Sequence, residues 1–292
     1  MKKDITALFC IVDDFVREYK AAERRRAIAD GKKIQRPTRV PGLSLSEIIT
    51  IILMFHQSSV KNFKHFYLLF LLPQYLSEFP HLPSYERFVF LMQRALAPMA
   101  ALLYFVRGKS SSVQYVDATA IEVCSLKRTS KHKVFAGLAS LGKTTKGWFF
   151  GLKLHLVISD KGEVLGASIT PGNCDDRAPV PTLTKRLRGL LFGDKGYISN
   201  ELFKTLFANG LKLITGIKKN MQNKLMDMRE KQLLRKRSII ETVFDYLKNK
   251  MSLEHTRHRS ITNALVHIIS TLVDYQLKPT KPSITPIDLA LG

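Results

Sequence analysis

The chain has 292 residues, 45% hydrophobic and 24% charged, which is enough to bury a core without disulfides and too apolar for disorder or a fibrous repeat. Against 24 Asp and Glu stand 46 Lys and Arg, and a formal charge of +22 points to a polyanionic partner, most often nucleic acid. Cys10, Cys124 and Cys174 are scattered and odd in number, so neither a disulfide framework nor a zinc knuckle is encoded.

Residues 1–106 read as an α-helical domain. Ile5 to Tyr19 has helical spacing, and a basic, proline-marked connector is expected from Arg24 to Pro41. Ser46 is read as an N-cap with Glu47 in the first turn of the apolar stretch Ile48 to Phe55. Further helices are expected over Phe63 to Leu72 and Tyr85 to Val106, punctuated by Pro73, Pro80 and Pro83. Such a module suits docking on DNA, for which a helix-turn-helix is one arrangement, and any structural bundle has the same pattern. Apolar runs such as Ala95 to Val106 fall short of the roughly 20 residues that span a bilayer, and no signal-peptide core follows Met1. A cytoplasmic, nucleoid-associated protein with no membrane partner is therefore expected.

After Lys109-Ser110-Ser111-Ser112 the period changes from helix to strand. Val113 to Ala120 is a short β-branched and aromatic strand. In Trp148 to Ser159, Trp148, Phe150, Leu152, Leu154, Leu156 and Ile158 make one apolar face, with Phe149, Gly151, Lys153, His155 and Val157 opposite. That alternation predicts an antiparallel strand with one face on the core. Val164 to Thr170 pairs with it across Asp160-Lys161-Gly162-Glu163, a hairpin signal. A helix over Pro179 to Leu187, a strand over Gly189 to Phe192, a helix over Asn200 to Asn209, a strand over Leu211 to Ile217 and a long helix from about Lys231 to Asn249 follow. Antiparallel strands leading into alternating helix and strand give an α+β or α/β domain, a mixed sheet flanked by helices.

Three acidic residues sit where structure alone does not ask for them. Asp117 lies inside a strand, where Asp is depleted and a buried carboxylate needs a cation or donors. Asp194 ends the run Leu190 to Gly193 before a glycine-flanked turn, the end of the sheet where ligands bind, although a helix cap or turn is its ordinary role. On the last long helix Ile240, Val243, Phe244 and Leu247 form the core stripe, and Arg237, Glu241 and Lys248 run along its border. The plain account of Arg237 and Glu241 is an i, i+4 surface pair. Two aspartates on strands and a glutamate on a later helix can instead converge, and three hard oxygen ligands suit two magnesium ions about 4 Å apart.

The order Asp117, Asp194, Glu241, spaced 77 and 47 residues apart, resembles the DDE triad of bacterial insertion-sequence transposases. Arg237, Glu241 and Lys248 match the pattern Tyr, two residues, Arg, three residues, Glu, six residues, Lys, with Leu234 in the tyrosine position. Phe55-His56-Gln57-Ser58, Asn62 to Tyr67, Gly147 to His155, Thr170 to Asn173 with Asp175-Asp176-Arg177, and Phe192 to Tyr197 are most similar to the insertion sequence 982 family, apart from Ala118 in place of a serine. The resemblance implies a ribonuclease-H-like catalytic domain over 107–280, a helical end-binding domain over 1–106 and a tail over 281–292. It implies two Mg²⁺ ions, or Mn²⁺, held by Asp117, Asp194 and Glu241. It also implies DNA cleavage with strand transfer, terminal inverted repeats and target DNA as partners, and a homodimer. A ribonuclease-H-like nuclease without strand transfer and an inactive DNA-binding derivative are the alternatives.

Between Val123 and Ser159 there is no acidic residue, and Lys127, Arg128, Lys131, Lys133, Lys143 and Lys146 are read as DNA contacts. The second basic stretch, Leu211 to Arg237, adds Lys218 and Lys219. The segment Lys127 to Lys146 reads as a glycine-dotted loop. Arg237 and Lys248 would orient Glu241 or contact phosphate, and Asp176 and His155 are supporting candidates. His255 and His258 lack the further ligands of a metal site, and no nucleophile elbow accompanies Ser111 and Ser112.

Overall fold

The computed structural model describes residues 4–31, 41–145, 147–217, 226–254 and 258–284. Asp4 caps the first helix, α1 (Ile5–Ala29), accepting from the Ala7 amide at 3.1 Å. α1 runs through Arg24, Arg25 and Arg26, which the sequence assigned to a connector, because Arg, Glu and Ala propagate a helix as well as apolar residues do. α2 (Leu45–Gln57) starts at Ser44 rather than Ser46. Ser44 and Glu47 form a reciprocal capping box, with the Glu47 amide 3.1 Å from Ser44 Oγ and the Ser44 amide 2.7 Å from Glu47 Oε2. Ser46 is buried one turn in and donates to Asp13 Oδ1 at 2.7 Å.

α3 (Phe63–His65), a π turn over Phe66–Leu71 and α4 (Leu72–Tyr75) follow, then α5 (Tyr85–Met92), a tight turn over Gln93–Ala95, and α6 (Leu96–Val106). The span Tyr85–Val106 is 22 residues of helix with a mean hydropathy of 1.6 in its most apolar window, long and apolar enough to cross a membrane by length and composition. Gln93 and Arg94 interrupt it, so no single uninterrupted apolar run reveals its length. In the structure Phe88, Met92, Ala95, Met99 and Leu102 of this span are buried in the core of the helical unit with Ile48, Ile52, Phe66 and Tyr67.

The second unit is built on a sheet. Its strands are β1 (Val113–Cys124), β2 (Ser140–Thr144), β3 (Gly147–Ser159), β4 (Val164–Pro171), β5 (Gly189–Gly193) and β6 (Leu211–Thr215), in the order β2-β3-β1-β5-β6 with β4 also paired to β3. β3 is antiparallel to β1, β2 and β4, whereas β5 is parallel to β1 and to β6. Four antiparallel strands, β1 to β4, feeding two parallel ones, β5 and β6, with helices on both faces, make the ribonuclease-H-like arrangement. α7 (Val180–Leu183) is shorter than the helix expected to Leu187, and with α8 (Asn200–Ala208) it covers one face through Val180, Leu202 and Leu206, packed on Val116, Val157 and Leu191.

β2 falls in the segment read as a loop, where glycine, lysine and threonine mute the strand signal. β3 buries both faces from Leu152 to Ser159, not the one expected, because it is an interior strand of a sheet covered on both sides. The long helix expected from about Lys231 to Asn249 is two: α9 (Met228–Arg235) and α10 (Ser238–Asp245). At the break the ladder tightens to i→i−3 bonds, Arg237 to Leu234 at 3.2 Å and Ile240 to Arg237 at 3.1 Å, so Arg237 becomes the cap of a fresh helix. α10 ends in a π turn over Tyr246–Lys250.

Two units group as Met1–Val106 with Arg259–Leu277 and Arg107–His258 with Lys278–Gly292. The final helix, α11 (Ile261–Leu277), therefore belongs with the helices and not with the catalytic domain expected to reach residue 280. A buried polar seam joins it to α2: His56 Nε2 lies 2.7 Å from Ser270 Oγ, and Gln57 Nε2 donates to Asp274 Oδ1 at 2.7 Å. Of the expected tail, Ile284 donates its amide to the Asp160 carbonyl at 2.8 Å, and residues 285–292 lie outside the described residues.

Candidate functional site

The parallel register of β1 and β5 pairs Tyr115 with Phe192, whose rings stack at 5.4 Å. Two residues further along each strand stand Asp117 and Asp194, the latter in extended backbone (φ −75°, ψ 179°). A period of two places both carboxylates on the face of that aromatic pair, on chains spaced about 4.8 Å apart. α9 covers the same face, where Tyr115 Oη donates to the Leu233 carbonyl at 3.2 Å.

Asp194 Oδ1 accepts from the Gly196 amide at 2.7 Å and caps the tight turn Lys195–Tyr197, so its ordinary turn role is present. A Cβ on Gly193 would stand 3.1 Å from the Tyr197 ring and 3.3 Å from Val116, which is why glycine precedes the aspartate. Tyr197 Oη is buried without a hydrogen-bond partner. Burial pushes its phenol far up, with Asp117, Asp176 and Asp194 adding to the shift. No sequence signal marked this residue beyond its place in the Phe192 to Tyr197 motif.

Asp117 accepts from the Ala118 amide at 2.8 Å and lies 3.6 Å from Arg237 Nη1. Burial pushes its carboxyl up to about 6, with the charges of Asp194 and Glu241 acting in the same direction and the Ala118 amide and Arg237 opposing. Glu241 stands on the first turn of α10, which is anchored by buried Ile239, Ile240, Val243 and Phe244. Its Oε1 accepts from Arg237 Nη2 at 2.7 Å. The pair that sequence spacing read as a surface bridge thus extends to a third member, and one guanidinium spans Asp117 on β1 and Glu241 on α10.

Asp117 is thus within electrostatic range of both Asp194 and Glu241. Among the described residues no three His, Cys, Asp or Glu side chains stand close enough to hold one ion, and between Asp117 and Glu241 the positive charge is Arg237. The donor chemistry is all-oxygen, which fits a hard divalent cation such as Mg²⁺ or Mn²⁺ and not a thiolate or imidazole metal.

Lys248 is directed elsewhere: its Nζ donates to the Ala120 carbonyl at 2.7 Å and pairs with Glu254 at 3.1 Å, tying the helix end to β1 rather than orienting Glu241. Asp176 pairs with Lys153 at 2.9 Å. His155 is buried, with Nε2 2.8 Å from Thr170 Oγ1, and burial lowers its pKa, so it is neutral. It lies on the opposite pleat of β3 from Leu156, the residue facing Asp117. Lys127, Arg128 and Lys131 are exposed on or beside a tight helical stretch, Leu126–Lys131, with Lys133 and Lys143 exposed beyond it. Lys146, Lys218 and Lys219 lie outside the described residues.

A family profile described as "Transposase DDE domain" matches residues 107–261. No curated protein matches the chain. Among solved structures, the Mos1 strand transfer complex is similar at 14% identity over 89% of this chain and 87% of that one, with a TM-score of 0.24. The Mos1 mariner paired end complex with Mn is similar at 14% identity over 90% and 88%, also with a TM-score of 0.24.

Proposed function

The chain belongs to the family of transposases with a DDE domain, and we propose that it is an insertion-sequence transposase, closest to the insertion sequence 982 family, which cleaves element ends and joins them to target DNA. The observation that carries this reading is the pair Asp117 and Asp194 on one face of adjacent parallel strands, with Glu241 tied to Asp117 through Arg237.

Asp117, Asp194 and Glu241 would hold two divalent ions, Mg²⁺ or Mn²⁺, which when bound supply an activated water or 3′-hydroxyl and stabilise the leaving oxygen. The chain's own residues do the rest. Asp117 gives up the proton that burial favours before it can ligate. Arg237 serves as counter-charge for two carboxylates that would otherwise repel each other and the DNA phosphate. Exposed Lys127, Arg128, Lys131, Lys133 and Lys143 supply salt-sensitive contacts to the backbone. The helical unit would read the terminal inverted repeats, and joining two ends calls for a homodimer acting at the nucleoid.

The test is cleavage and strand transfer on DNA carrying the repeats that flank the gene, with and without Mg²⁺. Metal-dependent cutting with joined product supports the reading. Nicks without joined product make the chain a nuclease, and binding without cutting makes it an inactive derivative.

A further inference from the structure

The only tryptophan of the chain is not in a core. Trp148 is 59% exposed near the start of β3, directly opposite Lys143 on β2, whose ammonium lies over the indole at 5.6 Å from the ring centroid. Leu141, also exposed, stands on the same short strand, and the three residues border a groove of about 430 Å³ closed by the turn after β4.

This edge is rigid. A Cβ on Gly142 would overlap the Gly172 carbonyl oxygen and the Phe149 ring, and one on Gly172 would stand 2.6 Å from the Ser140 carbonyl oxygen. The Gly172 amide bonds the Gly151 carbonyl at 3.0 Å, so the β2–β3 hairpin and the turn are clamped backbone to backbone. The groove's acidic residues are already matched: Asp176 pairs with Lys153, and Asp175 with Arg177. Lys143 remains as the charge beside the ring.

We propose that Trp148 is a stacking platform for an unpaired nucleobase, with Lys143 taking the adjoining phosphate. An exposed indole offers a flat π face that stacks any base, and a neighbouring ammonium matches the backbone charge, the two elements of single-strand recognition. A paired duplex hides its base faces and cannot use the ring. Trp148 lies eight residues along β3 from Leu156, the partner of Asp117, and on the same pleat. At about 3.4 Å per residue that is roughly 27 Å of strand, so the base held here is several nucleotides from the phosphate at the carboxylates. The platform rests on the DNA-processing reading above and names what that reading leaves open, a site for unpaired DNA apart from the cleavage position.

Because Trp148 is the sole indole, its emission reports this site alone. The protein is titrated with a single-stranded oligonucleotide, a blunt duplex, and the same duplex with an unpaired thymidine overhang, recording tryptophan emission and, separately, anisotropy of labelled DNA. Anisotropy rises with all three, but emission changes only with the two that offer unpaired bases. Trp148→Leu weakens those two by about 5- to 150-fold, leaves blunt-duplex binding unchanged, and Trp148→Phe restores most of the loss. Binding of all three DNAs with unaltered emission, or equal quenching by the blunt duplex, overturns the platform while the DNA reading stands. Absence of binding to any DNA overturns both.

Discussion

Two groups of polar side chains in the described residues are arranged in opposite ways. In the helical unit the seam between α2 and α11 matches groups by hydrogen bonding: the Gln57 amide to buried Asp274, and the His56 ring to the Ser270 hydroxyl. In the sheet unit Asp117 feels the charges of Asp194 and Glu241, one guanidinium lies between Asp117 and Glu241, and burial makes the Asp117 carboxyl hold its proton to about pH 6. Burial and like charges raise the Asp117 carboxyl, an electrostatic cost that a bound divalent cation would remove.

The sharpest way to break that contrast is Asp117→Asn. DNA cleavage should fall by on the order of a thousandfold or more while gel-shift binding persists. Stability should move the other way. A carboxyl whose folded pKa is raised contributes stability that is present below its unfolded value near 3.8 and is lost as pH climbs through about 6. Metal-free wild type should therefore weaken between those values, and Asp117→Asn should be more stable than wild type above them by up to about 3 kcal/mol. Urea unfolding in EDTA at acid and at neutral pH checks both signs.

Gln57→Ala is the mirror experiment. Removing the amide that serves Asp274 should destabilise the helical unit by about 1–3 kcal/mol with no gain at any pH. A stabilised Gln57→Ala protein would show that the seam is strained too. Metal affinity should sharpen the same distinction: Mn²⁺ binding should weaken as pH falls below about 6, as protons compete for Asp117, and binding at about pH 5 to 6 should release protons measurable by calorimetry in two buffers, a release that fades by neutral pH. The smallest expected effect is local. Ser44→Ala removes one arm of the α2 capping box and should cost about 1 kcal/mol in thermal or urea unfolding, without touching cleavage per folded molecule.

How far the site could be read in advance follows from how local its signals are. Asp117 and Asp194 stand out because an acidic residue in or just after a strand violates local preference, and Glu241 is placed by helical periodicity. Arg237 was assigned to Glu241 by spacing, but its second partner comes from another strand, which no i, i+4 rule contains. Ser44 and Ser46 compete for one cap, and the three-residue spacing to Glu47 decides for Ser44. β2 escaped because an edge strand of Ser, Leu, Gly, Lys and Thr lacks the apolar alternation that identifies β3. Trp148 shares the alternating apolar face of β3, which is buried from Leu152 onward but open at the strand's first residues. The grouping of α11 with the helices depends on packing across some two hundred residues of sequence, as in the His56 to Ser270 bond, and no local pattern reveals it.

A divalent-cation site formed by Asp117, Asp194 and Glu241 would be visible in anomalous diffraction from crystals grown with Mn²⁺. Manganese peaks are expected among these three carboxylates, with Arg237 withdrawn from at least one of them. Full-occupancy crystals with no peak there, and Arg237 still bridging Asp117 to Glu241, would contradict it.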